Sequence, residues 1–115
     1  MRNELIIGYN LESILESTDI ILERFSKINT PDDFMVSPFG ITQFDSIVMR
    51  LQSIGELIKT IDKHKPDLLI KYQNIDWNKI IRMRDLISHH YITLDPGVIF
   101  NVCKNDIPKL KTTIE

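Results

Sequence analysis

The chain has 115 residues, 43% of them hydrophobic and 26% charged, and a formal net charge of −2. That profile fits one ordinary globular domain with enough chain to bury a core unaided, so residues 1–115 are expected to form a single domain. It excludes a global basic field drawing the protein to nucleic acid. The single cysteine, Cys103, excludes an internal disulfide and fits a reducing compartment.

The opening stretch "MRNELIIGYNLESILEST" lacks the uninterrupted apolar run of a secretory leader. No segment approaches the roughly 20 apolar residues of a bilayer-spanning helix, and a cytoplasmic protein is expected. Ile7, Leu11, Ile14, Thr18, Ile21, Phe25 and Ile28 recur in alternating steps of four and three. This heptad-type seam predicts a helix over 4–28. "NTPDDF" ends it, because Pro31 cannot continue a helix and its neighbours are turn formers.

Ser37 as cap and Pro38 at the first position open a second helix. Ile41, Phe44, Ile47, Val48, Leu51, Ile54, Leu57, Ile58 and Ile61 give it the longest apolar face in the chain, which marks it as the core helix. "KHKPDLLIKYQN" reads as a connector with a short helical turn at 68–72. Asp76 caps a helix running to about Tyr91. Asp95 and Pro96 start the last one, with a bend expected at Pro108. Alternating strand patterns are absent, so the expected fold is all-α: an up-and-down bundle of four main helices plus a short one.

The stretch "RMRDLISHHY" at 82–91 concentrates the chemistry. On a helical wheel with Arg84 at the origin, Ser88 falls at about 40°, Asp85 at about 100° and His89 at about 140°. Ile81 lies within the same arc, where it would be explained by a covering chain. Leu86, Met83, Ile87 and Ile80 form the apolar stripe, and His90 points into it as a buried or half-buried packing histidine. Arg84 and Tyr91 are two turns apart on nearly one line. Asp85 and His89 stand at i, i+4, where the carboxylate could orient or charge the imidazole. Arginine offers a permanent charge and a planar fork for phosphate oxygens, and histidine exchanges a proton near neutrality. Together they suffice to cleave RNA without a metal: the histidine moves the 2′-hydroxyl or leaving-group proton while the arginine holds the phosphorane charge. By spacing alone the pair is weak, and a solvated helix face is the blander reading.

The order of segments says more. "LQSIGELIK" at 51–59, "IDWNKIIRMRDLISHHYITLD" at 75–95 and "KNDIPKLK" at 104–111 resemble the HepT-like toxins of the HEPN superfamily. The family pattern of Arg, a polar residue, three more residues, His, any residue, Tyr falls on Arg84 through Tyr91, with Trp77 upstream. The resemblance implies an all-α bundle that dimerises, with Arg84 and His89 catalytic in a shared cleft. It implies a metal-independent endoribonuclease toxin that needs no cofactor, acts on an RNA such as tRNA or mRNA, and is neutralised by a nucleotidyltransferase antitoxin able to adenylylate Tyr91. Asp85 and Ser88 would shape the site. Asp85 departs from the Asn common at that position, and its charge would repel a phosphate.

Arg82, at the edge of the arc, is either an RNA-phosphate contact or a solvated arginine. Trp77 reads as a packing anchor rather than a base-stacking platform. Glu56 is either a polar neighbour of the site or an ordinary surface carboxylate, and Gly55 beside it suggests a close helix approach. Lys104, Lys109 and Lys111 offer phosphate contacts or simple helix-end complementation. Cys103 reads as core. His64, His89, His90 and Cys103 have no metal-ligand spacing, so no metal site is expected. The alternative to a nuclease is a non-catalytic helical subunit that holds nucleotide or RNA phosphate in a nucleotidyltransferase complex.

Overall fold

A computed structural model describes residues 2–115, with side chains from residue 4 onward. The helices are α1 (Arg2–Phe25), α2 (Pro38–His64), α3 (Pro66–Ile70), α4 (Trp77–His90), α5 (Pro96–Asn101) and α6 (Ile107–Ile114). No strand occurs among the described residues, and the all-α bundle is as expected. The predicted starts rest on real caps. Ser37 Oγ accepts from the Gly40 N–H at 3.0 Å, Asp76 Oδ1 from Lys79 at 3.0 Å and Asp95 Oδ1 from Gly97 at 2.8 Å.

Helix α2 is the hub, packing on α1, α3 and α4, while α6 closes against α1. The α1 seam is inside as patterned: Ile14, Thr18 and Ile21 are fully buried and Ile28 seals the end. Ile47, Ile54, Ile58 and Ile61 of α2 meet it in one core, with Ile99, Cys103, Ile107 and Leu110 from the last segment. Burial pushes the Cys103 thiol up to about 12, so it behaves as an apolar filler. Phe25, Phe34, Phe44 and Phe100 form a ring cluster that ties α1, the Pro31–Phe34 turn, α2 and α5 together, with centroids 5.0–6.3 Å apart.

Several expectations are corrected. Ile41 is exposed, because Gly40 and Phe44 are the residues of that turn that face inward. Gly40 lies so close to the Asp33 carbonyl that a Cβ would overlap it. Helix α4 ends at His90 and tightens into a 3₁₀ turn, Tyr91–Thr93. The last helix breaks before Pro108, in a π-helical turn at Val102–Asp106 where the Ile107 N–H reaches back to the Val102 carbonyl. Pro108 has no N–H to donate, and the wider turn absorbs that loss just ahead of it. No helix among the described residues is long and apolar enough to cross a membrane.

Candidate active site

Helix α4 lies antiparallel along α2, since partners descend on one helix as they ascend on the other. Tyr91 hydroxyl donates to Asp45 Oδ1, Gln52 Nε2 donates to Ser88 Oγ at 2.9 Å, and Arg84 Nη2 approaches Glu56 Oε1 at 3.4 Å. A glycine makes this seam tight. A Cβ on Gly55 would overlap the Arg84 Cβ and crowd the Ile80 carbonyl, so only glycine lets the backbones meet at this crossing. The close approach expected from the sequence is therefore at the arginine itself.

Arg84 is the most constrained side chain of the site, 27% exposed. Its stem lies against Gly55. Nη1 donates to Asp85 Oδ1 at 2.8 Å, and Nε is buried without a partner. The Arg84 hydrogen bond holds the Asp85 carboxyl below its ordinary range, with the charges of Arg84, Lys59 and His89 adding to that effect. The same pairing raises the arginine's own pKa, so the guanidinium stays charged. Its remaining N–H groups can donate to a phosphate, at the cost of competing with two carboxylates.

The other predicted residues are distributed as follows. His89 is exposed, one turn beyond Asp85, but the carboxylate is engaged by Arg84 rather than by the imidazole. His90 is also exposed, against expectation, and so is Leu86 of the presumed stripe at 40%. The wheel's buried centre is rotated: Met83 and Ile87 are buried, and Arg84 rather than His90 flanks them because α2 packs over that edge. Ile81 is half-buried against the core of its own chain, which accounts for it without a second one. Arg82 is exposed, 4.0 Å from Asp76. Trp77 is an anchor as read, half-buried, its Nε1 donating to the Tyr72 carbonyl at 3.1 Å. Glu56 proves to be a neighbour of the site. Lys111 pairs with Asp19 at 2.8 Å and is not a free phosphate contact.

Sequence reasoning missed Asp45, Gln52 and Lys59. They follow one another on α2 with Glu56 at spacings of seven, four and three, a polar stripe beside the apolar face. That stripe was visible in the sequence, but nothing local indicated which helix it would face. Among the described residues, no group of three or more His, Cys, Asp or Glu side chains converges to hold a metal ion.

The model of a family described as "Ribonuclease HepT-like" matches residues 14–115, which include the whole Arg84–Tyr91 stretch. The chain is 38% identical over 114 residues to a "Gamma-glutamylcyclotransferase and putative RNase" of Methanocaldococcus jannaschii, covering 99% of this chain and 47% of that protein. It therefore spans about half of that relative's length. It is 34% identical over 105 residues to a "Probable ribonuclease HepT" of Thermococcus cleftensis, covering 91% of this chain and 89% of the relative. A "Putative RNase" of Caldanaerobacter subterraneus is 29% identical over 105 residues, at 91% and 88% coverage. No solved structure gives a significant match.

Proposed function

The chain belongs to the HepT-like ribonuclease family, and on that premise we propose that it is a metal-independent endoribonuclease. In this reading it is the toxin of a toxin–antitoxin pair, residues 1–115 form its single cytoplasmic domain, and a nucleotidyltransferase antitoxin restrains it. The observation that carries the reading is Arg84. An arginine whose stem is wedged on a glycine and whose fork is already aimed by two carboxylates is pre-oriented for a planar anion.

The chemistry follows from the placement. Solvent-exposed His89 takes the proton of a ribose 2′-hydroxyl, whose oxygen then attacks the adjacent phosphorus. Arg84 meets the charge that develops on the phosphorane. The bond from phosphorus to the 5′-oxygen then breaks, leaving a 2′,3′-cyclic phosphate and a 5′-hydroxyl whose proton comes from water at the exposed site. No step in this sequence calls on a metal. Lys59, close enough to act on Asp85, adds positive charge on the α2 side. Arg82 supplies a phosphate contact at the rim. A homodimer would bring a second Arg84 and His89 to the cleft, and Ile92, 93% exposed just past the motif, gives such a dimer apolar surface to bury. Tyr91, held on Asp45 at the end of the same seam, is the hydroxyl available for adenylylation.

The test is incubation of the purified protein with total RNA and with tRNA in EDTA, beside His89→Ala and Arg84→Ala. Cleavage by the native chain and loss in both variants, each with an unchanged melting temperature, is the expected result. Absence of cleavage from a preparation whose intact mass shows unmodified Tyr91 would leave the second reading, a phosphate-holding subunit. That reading draws on one observation, the engagement of Arg84 by Asp85 and Glu56 in the free chain.

A further inference from the structure

At the far end of the α2–α4 seam lies a cleft of about 720 Å³ that the chemistry above does not use. It opens among the C-terminal end of α2, α3, the start of α4 and the π-helical turn with the residues after it. Its size falls in the usual range of small-molecule sites, roughly 300–1,000 Å³. It is large enough for a nucleobase and far too small for a protein domain.

The lining argues for an uncharged heterocycle over a phosphate. Three aspartates (Asp62, Asp76, Asp106) face only two lysines there (Lys79, Lys109), and Lys79 Nζ is already bound to Asp106 at 2.7 Å. Arg82 Nη2 stands 4.0 Å from Asp76 as well, so the charges around the cleft balance. Among the described residues Lys109 is the lining cation left without a carboxylate partner, too little to hold a phosphate. Asn78 offers an amide that both donates and accepts, as a base edge requires, and the aspartates accept from exocyclic amino groups. Trp77 anchors α4 but is only half-buried and also lines the cleft. Beyond the anchor role read from the sequence it offers indole surface on the same wall, with its Nε1 donating to the Tyr72 carbonyl.

Position links the cleft to the site. Trp77 and Arg84 are seven residues apart, so they share one line along α4. Trp77 precedes Arg84 by about 10 Å of helix rise. Ile81, between them, also lines the cleft. A strand held at Arg84 and running toward the start of α4 delivers a neighbouring base, not the cleaved phosphate, into the cleft.

We propose that this cleft is a base subsite, which holds an unpaired nucleobase of the RNA next to the cleavage position and so restricts the enzyme to single-stranded segments. The proposal rests on the ribonuclease reading for its occupant, but its test does not require cleavage. Trp77 is the chain's one tryptophan, so its fluorescence reports the cleft directly. The native protein is titrated with a 2′-O-methyl oligoadenylate, which cannot be cut, and with an abasic oligonucleotide of the same length. Expected are saturable quenching by the base-bearing strand and binding about tenfold tighter than for the abasic one, the order of effect of one stacked base.

Asn78→Ala, on an exposed position, is the second variant. It should narrow that tenfold gap, measured by anisotropy of labelled strands, without weakening the abasic strand. Equal affinity for the two strands, or base-dependent binding that Asn78→Ala leaves untouched, overturns the subsite. If the EDTA assay shows cleavage while the two strands bind alike, the subsite alone fails. If bases are held but no RNA is cut by any preparation, the nuclease reading fails, and the cleft stands as a base-binding site without a cleavage position beside it.

Discussion

Helix α2 has two seams, and they are built differently. Toward α1 the contact is dry: Ile14 and Ile21 of α1 are fully buried, and among the described residues no side-chain hydrogen bond joins the two helices. Toward α4 the contact is mixed: Met83 and Ile87 join the buried core, and along its edge run three side-chain hydrogen bonds, at Gln52–Ser88, Glu56–Arg84 and, in the turn just past α4, Asp45–Tyr91. Apolar burial is non-directional and supplies most of the stability, whereas hydrogen bonds in water add little net energy but fix side-chain directions. Both seams therefore hold the bundle, and the polar edge of the second also aims the functional groups. The division is testable, since damage to the two seams should appear in different measurements.

The largest effect is expected in the dry seam. Ile14→Ala removes a fully buried side chain of α1 and should cost roughly 2–5 kcal/mol, read by urea unfolding. RNA cleavage by the fraction still folded should be near native. Gly55→Ala is next and tests the boundary between the seams. Its methyl group would overlap the Arg84 Cβ, so α2 and α4 must part or the arginine must move. A loss of about 1–3 kcal/mol is expected together with a fall in cleavage larger than the stability loss explains. Unchanged cleavage would show that Arg84 is not positioned by this crossing.

Asp85→Asn should move the melting temperature little, because the Asp85 side chain is 49% exposed and an amide oxygen can still accept from Arg84. It should strengthen RNA binding several-fold at low salt, measured by anisotropy, by removing a charge that competes with phosphate. Acidification should mimic it. Arg84 lowers the Asp85 pKa in the folded chain, so the pair persists above the ordinary carboxylate range and is lost only as pH falls through that lowered value.

The smallest effect is spectroscopic. The Asp45 hydrogen bond, with burial adding, raises the Tyr91 pKa above 10.0. A raised folded value means that the contribution is complete below the ordinary tyrosine range and is lost as pH rises through the folded pKa. Ultraviolet difference titration of the native chain against Tyr91→Phe should show one late phenol, and Asp45→Asn should bring it back toward the ordinary range. A late phenol that persists in Asp45→Asn would assign the shift to burial.

Much of the bundle was legible because its signals are local. The seven-residue seam of α1, the apolar face of α2 and the caps at Ser37, Asp76 and Asp95 each declare themselves within a few residues. The exceptions are instructive: Ile41 fits the periodicity of α2 and is still exposed, and Pro108 marked a break that the backbone makes earlier. The motif from Arg84 to Tyr91 was also legible, as a resemblance. Its surroundings were not. His90 and Arg84 exchange their expected environments, with His90 in solvent and Arg84 half-buried under α2.

The sequence by itself determined the long helices, the capped starts at Ser37, Asp76 and Asp95, the core of α1 and α2, and the family. The short helix, by contrast, lies at Pro66–Ile70 rather than 68–72, and α1 ends at Phe25 rather than 28. Periodicity and capping act over one or two turns, and a motif is a pattern in the chain. Only the tertiary structure decided that Asp45, Gln52 and Glu56 stand opposite Tyr91, Ser88 and Arg84, between 28 and 46 residues away in the chain. The rotation of α4 about its axis is set by which helix covers it, and that depends on how α2, pinned by its dry seam to α1, presents its other face. A helical wheel contains no such information, because every rotation of an isolated helix satisfies its own backbone equally well.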